Sequence, residues 1–122
     1  MLAAIAAVTT ALKSTTFPTC GYCGVMLPVL EDALLGQRWE EGRVNVHQLL
    51  LYSSVCGMGL DTIPLAGTTS AESIARLLLD VATLALRLRK PLSARLFPMP
   101  GKNVGERTQF TSPHLTNTVI QS

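Results

Sequence analysis

The sequence predicts an α/β domain, and three observations predict it. Helical patterns alternate with short extended runs along the chain. One long apolar helical run is bracketed by two extended segments, LDTIPLA and SARLFPM. Glycines and prolines punctuate the joints between these elements.

The elements follow in order. Residues 2–14, LAAIAAVTTALKS, are dominated by Ala and Leu and read as a helix. TTFPTCGYCG breaks it with Pro18, Gly21 and Gly24. Residues 25–41 read as a second helix, with Pro28 in its first turn, where a missing N–H does no harm, and Gly42 as its stop. A third helix is expected over Val46–Ser54, giving way at Gly57 and Gly59. LDTIPLA, bounded by Gly59 and Gly67, reads as extended. Thr69-x-x-Glu72 has the form of a capping box ahead of the fourth helix, which runs to about Arg89 and stops before Pro91. Its polar residues Arg76, Asp80, Thr83 and Arg87 form one narrow stripe, so the helix is expected to be buried on most sides. SARLFPM reads as a strand, Pro100–Arg107 as a loop and Asn117–Ile120 as a short final strand.

Composition bounds the function. The 122 residues suit a single domain. Only 15% are charged against 48% hydrophobic, where globular proteins average about 25% charged. So little charged surface predicts a segment of a larger core, or a subunit that buries much of itself in an oligomer. The opening Met1-Leu-Ala-Ala-Ile, which has no cap residue before it, agrees with that expectation. No positive region precedes the first apolar run, since Lys13 is the first basic residue, so a signal peptide is not predicted. No apolar run reaches the ~18 residues that a membrane span needs. A net charge of +2 and 5% aromatic residues argue against a nucleic-acid surface. Three cysteines, an odd number, fit a reducing compartment, and the expectation is a cytoplasmic protein.

Three constellations could carry chemistry. Cys20-Gly-Tyr-Cys23 ahead of a predicted helix is the arrangement that makes a thiol nucleophilic. CGYCGVMLPVLED resembles the active-site helix of thioredoxin, with Ile63–Pro64 in the place of its cis-proline element. The expected strand before the dithiol is absent, however. Cys20, Cys23, His47 and Cys56 could form a Cys₃His metal site, although their spacing is loose. The third constellation is Cys56 with Asp61, Arg95, Lys102 and His114. Gly57 and Gly59 would let a ligand approach the backbone, Arg95 in an apolar strand needs a partner, and Lys102 follows a Pro-Gly turn whose amides could hold an anion. His47 and His114 stand outside any motif. Read blandly, the same residues are a turn cap, an ion pair and a solvated lysine.

At three runs the chain resembles a known family. CGYCGVMLPVLED, LYSSVCGMGLDTIPLAG and KPLSARLFPMPGKNVGERTQF are similar to the C-terminal part of the prokaryotic family called domain of unknown function 711, or uncharacterised protein family 0210. The combination GLDT-x-P-L-x-G, KPLSARL and PGK-x-x-GE is specific, and the resemblance covers about Leu12 to Ile120. It implies a fold similar to the α/β barrel of pyruvate formate-lyase and ribonucleotide reductase. Family members are longer, so it implies a C-terminal segment, residues 1–122, of a longer domain. The glycyl-radical signature is absent, and radical chemistry is not carried over.

The expectation is therefore a partial α/β barrel, resembling the pyruvate formate-lyase-like fold and completed by oligomerisation or by a separate N-terminal subunit. Its function is a small-molecule enzyme or ligand-binding subunit with a thiol-containing site. Cys56 and Asp61 would act on the ligand, and Gly57, Gly59, Arg95 and Lys102 would bind it. A redox protein using Cys20 and Cys23, and a non-catalytic assembly module, are the alternatives. The residues name no cofactor, metal or reaction.

Overall fold

Three of the helices begin where a short polar side chain accepts hydrogen bonds from otherwise free amides. The computed structural model describes residues 1–122 as α1 (Leu2–Lys13), α2 (Ala33–Glu40), α3 (Val46–Ser53), β1 (Gly59–Ala66), α4 (Ala71–Leu88) and β2 (Ser93–Met99). Asp32 accepts from Leu35 at 2.6 Å to start α2. Asn45 and Gln48 exchange bonds at 3.0 Å each to start α3. Ser70 accepts from Ser73 at 3.1 Å to start α4.

Two of the expected helix starts move. The second helix begins at Ala33 rather than residue 25, because the preceding segment is spent on β1. Pro28 bridges in parallel to Asp61, the Val29 amide donates to the Asp61 carbonyl at 3.1 Å, and the Leu30 amide donates to Thr62 Oγ1 at 3.0 Å. A proline is tolerated at a sheet edge as well as in a first helical turn, so Pro28 did not discriminate between the two. The cap of α4 is Ser70, not Thr69. The Thr69 amide is taken by the Ala66 carbonyl at 3.0 Å, and Glu72 reaches forward to Arg76 at 2.5 Å instead of back.

The β1–α4–β2 unit is the centre of the molecule. The two strands are parallel, with Gly59 opposite Ser93 at one end and Ala66 opposite Met99 at the other. Between Leu60 and Ile63 the register slips: Asp61 and Thr62 together oppose Arg95. This bulge keeps Leu60, Ile63, Ala94 and Leu96 all on the side of the core. There they pack with Val81 and Leu77 of α4, Leu49 of α3, Trp39 of α2 and Val29. The sheet is two strands wide, and no barrel is formed.

The C-terminal segment clasps α2. The Thr116 amide donates to Leu30 at 2.7 Å, Thr118 Oγ1 donates to the Gly36 carbonyl at 2.7 Å, and Trp39 Nε1 donates to Val119 at 2.9 Å. Gly36 permits this approach, since a Cβ there would sit 2.9 Å from the Thr116 methyl. The expected strand 117–120 shrinks to one antiparallel bridge, Arg107 with Val119. Its hydrogen-bonding groups are used on α2 and on the 108–110 turn, where the Asn117 side chain holds Thr108 and Phe110.

Helix α4 departs most from expectation. Val81 is its one buried residue, while Leu79 is 66% and Leu86 80% exposed. Helix α4 packs on β2 and α3 along one side, so one stripe is covered and the rest is left to solvent. No helix is long and apolar enough to cross a membrane.

Candidate functional site

Side chains alternate across a strand, so the bulge sorts β1 and β2 into two faces. One is the apolar face against α4. The other carries Asp61, Thr62, Ser93 and Arg95.

Asp61 is 1% exposed. Its Oδ1 accepts from Arg95 Nε at 2.5 Å, and its Oδ2 is buried with no partner. Arg95 reaches past it to Glu31, with nitrogens 3.0 and 3.3 Å from the two carboxylate oxygens. The Asp61 carboxylate, helped by Glu31 and opposed by lost hydration, holds the guanidinium protonated above its usual range. Two carboxylates thus share one cation. Beside Asp61, Thr62 has φ +48° and is fully buried. A β-branched residue there costs about 1–3 kcal/mol, and such strain concentrates at functional sites. The Leu30 amide bonded to its hydroxyl holds it in place.

Ser93 lies two residues before Arg95 on the same face. Its Oγ is the second buried polar atom without a partner. Buried polar groups are nearly always hydrogen-bonded, so each exception calls for an explanation. Both exceptions in this chain lie on one face of one sheet.

The N-terminal edge of the strands holds the thiol. Cys56 is buried, and its Sγ accepts from the Gly59 amide at 3.2 Å. Gly57 packs on Gly24 so closely that a Cβ on it would meet the Gly24 backbone at 2.6 Å. Gly59, at φ +117°, lies so near Ser93 that a Cβ would sit 2.3 Å from its carbonyl oxygen. These glycines therefore serve chain-to-chain contact. Lys90 donates to the Ser53 carbonyl at 2.9 Å. Burial pushes its ammonium below the ordinary lysine range, the Cys56 sulfur partly offsets that, and Lys13 adds to it.

The residues of the third constellation are thus divided. Asp61 and Arg95 meet directly. Cys56 sits at the N-terminal end of β1. Lys102 lies at the opposite end, where its carbonyl accepts from Gly67 at 2.9 Å. At ~3.3 Å per residue the two ends are about 20 Å apart. A cavity of about 570 Å³ opens at that C-terminal end, lined by His47, Trp39, Ile63, Thr69, Ser70 and Ile74 among others. His114 is exposed in a turn after Ser112.

Two other constellations do not assemble. Cys20 is exposed and Cys23 half-buried, both free, in a loop that ends well before α2. No helix begins at the dithiol, and the Ile63–Pro64 bond is trans. No group of three or more His, Cys, Asp or Glu is placed to hold a metal, so Cys20, Cys23, His47 and Cys56 form no ligand set.

Four contributors escaped the sequence reading. Glu31 was hidden inside a predicted helix. Lys90 carries no motif beyond its place at the start of the KPLSARL run. The strain at Thr62 has no sequence signature. Ser93 could have been found, because it shares the strand parity of Arg95.

The sequence profile of the family described as Uncharacterised ACR (DUF711) matches residues 1–113. A UPF0210 protein of Pyrobaculum aerophilum is 42% identical over 86 residues, 70% of this chain and 19% of that protein. One from Ligilactobacillus salivarius is 35% identical over 112 residues, 88% of this chain and 25% of the relative. One from Methanococcoides burtonii is 37% identical over 90 residues, 74% of this chain and 20% of the relative. The chain spans about a fifth to a quarter of the length of these relatives. No solved structure matches it.

Proposed function

The chain belongs to the DUF711 family, a family of uncharacterised proteins, and we propose that it supplies one wall of a small-molecule site on the polar face of β1 and β2. One observation carries the reading: the two buried polar atoms without partners, Asp61 Oδ2 and Ser93 Oγ, lie on that one face beside the strained Thr62. An ionised Asp61 can only accept hydrogen bonds there, while the Ser93 hydroxyl can accept or donate. The pair fits a ligand with amino or hydroxyl groups. Arg95 fixes the Asp61 carboxylate and is itself 43% exposed, so it can also meet a ligand anion. Cys56, Gly57 and Gly59 form the near edge, with the buried Cys56 thiol as the group that would carry covalent chemistry. Lys102 belongs to the far end, as an anion holder on the loop after β2.

The remaining wall comes from further chain, either the rest of the family's sequence or another subunit. In that setting β1 and β2 are two staves of a barrel of the pyruvate formate-lyase-like kind, and this chain is its C-terminal portion. The relatives' greater length supports the further chain. The three free cysteines support a cytoplasmic setting.

A thermal-shift screen of amino- and hydroxyl-bearing metabolites against the protein tests the site. Compounds that raise the melting temperature are expected to lose their effect on Asp61→Asn and to weaken on Ser93→Ala. Stabilisers indifferent to both substitutions would place the site elsewhere.

A further inference from the structure

Half of the basic side chains are matched to a carboxylate and half are not. Every ion pair in the chain uses Arg38, Arg43, Arg76, Arg95 or Arg107. Lys102 stands alone on its loop. The remaining cations, Lys13, Arg87, Arg89 and Lys90, gather at the end of the molecule where β1 and β2 begin. Arg87, Arg89 and Lys90 close α4 and lead into β2. Lys90 Nζ donates to the Ser53 carbonyl at 2.9 Å, at the end of α3. Lys13 is the last residue of α1. Burial lowers the Lys90 ammonium from its ordinary range, the Cys56 sulfur opposes this, and the Lys13 charge beside it lowers it further.

The segments that meet there carry no counter-charge of their own. Residues 1–30, 42–60 and 81–105 contain no Asp or Glu except none at all: the first acid after Arg87 is Glu106, and the last before it is Asp80. Asp80 lies two turns back along α4, about 10 Å away at 1.5 Å per residue. Helix ends account for part of the cluster. α1, α3 and α4 all finish here, and a helix C-terminus acts as about half a negative charge. Together they supply about −1.5 against four unit positive charges, so roughly two positive charges are left over. Like charges held close together destabilise one another, and a bound anion removes that repulsion.

We propose that Lys13, Arg89 and Lys90 form a binding site for a phosphate group on a small molecule, with Arg87 adding to its field. A phosphomonoester carries about −1.5 to −2 at pH 7 and has three strong acceptor oxygens, which matches both the residual charge and the donors. A carboxylate would supply half of that charge. The excess is confined to one end of a chain whose net charge is only +2, which suits one anionic group and not the backbone of a nucleic acid. The site uses neither Asp61 nor Ser93, so it stands apart from the reading of the polar face.

Isothermal titration with inorganic phosphate, pyrophosphate and glycerol 3-phosphate at constant ionic strength is the test, with acetate as the monoanion control. The phosphate compounds are expected to bind and acetate is not. Lys13→Gln, Arg89→Gln and Lys90→Gln should each weaken binding about tenfold, the loss of one charge-assisted hydrogen bond. Lys13→Arg should restore most of the affinity that Lys13→Gln loses. Arg76→Gln, an exposed arginine outside the cluster, should leave binding unchanged. Lys13 and Arg89 are exposed, so their variants decide the matter even if Lys90→Gln folds poorly. No binding at millimolar concentrations overturns the proposal, as does acetate binding equally well. Phosphate binding indifferent to Lys13 and Arg89 overturns it too. So does binding confined to RNA or to vesicles of anionic phospholipid, with no response to the small phosphates.

Discussion

Asp61 joins the fold and the proposed site in one side chain. Its Oδ1 is bound to Arg95, and its Oδ2 is buried without a donor. Asp61→Ala removes the buried end of a charge-assisted bond and is expected to cost about 1–3 kcal/mol in chemical denaturation. Glu31→Ala removes an outer partner in water and should cost less than about 1 kcal/mol. Equal losses would mean that the burial of Asp61 contributes nothing. Lys90 gives a pH signature. Its folded pKa is lowered by burial, so between that value and the ordinary 10.5 the unfolded chain binds more protons. Stability therefore rises with pH through that window. Subtracting the stability of Lys90→Gln from that of the wild type should leave a difference that rises as pH approaches 10.5. A flat difference would show that Lys90 is not desolvated.

At the scale of elements, α4 shows how one position decides a boundary. Thr69 and Ser70 are both good caps on composition, and Thr69 has the better motif. The turn after β1 takes the Thr69 amide for Ala66, which leaves Ser70 to accept from Ser73. Ser70→Ala is expected to cost about 1 kcal/mol and Thr69→Ala a few tenths, measured by urea denaturation. The reverse order would return the cap to Thr69. The segment 25–32 teaches the same lesson. Its residues suit a helix, but β1 offers Pro28, Val29 and Leu30 a bridge and two hydrogen bonds, and Asp32 becomes the cap instead.

For the whole molecule, the C-terminal clasp depends on Gly36. Gly36→Ala places a methyl group against Thr116 and 3.2 Å from the Val29 carbonyl. The tail is expected to lift from α2, and amide exchange at Thr116, Thr118 and Ile120 should accelerate at least tenfold. Unchanged protection would mean that Trp39 and Gln121, which also hold the tail to α2, suffice alone. The polar face of the sheet holds the buried Asp61 carboxylate, the far end opens into the cavity by His47, and the outer side of α4 exposes Leu79 and Leu86.

What the residues determined by themselves was local or compositional. Apolar periodicity, caps and Pro–Gly punctuation produced α1, α3, α4, β1 and β2 close to their observed ends, because those signals act within a few residues. The GLDT-x-P and KPLSARL runs identified the family for the same reason: they are contiguous. The low charge content pointed to unsatisfied apolar surface, and that surface exists on α4. What tertiary structure alone decided was pairing. Parallel strands brought Arg95 to Asp61 and sent Lys102 to the opposite end from Cys56, because strand direction is fixed by the crossover and not by either strand's residues. The bulge turned Asp61 and Thr62 together toward the polar face, a consequence of register that no single strand records. The burial of α4 was overestimated because periodicity reports which faces are apolar, and only the neighbours present decide which of them is covered.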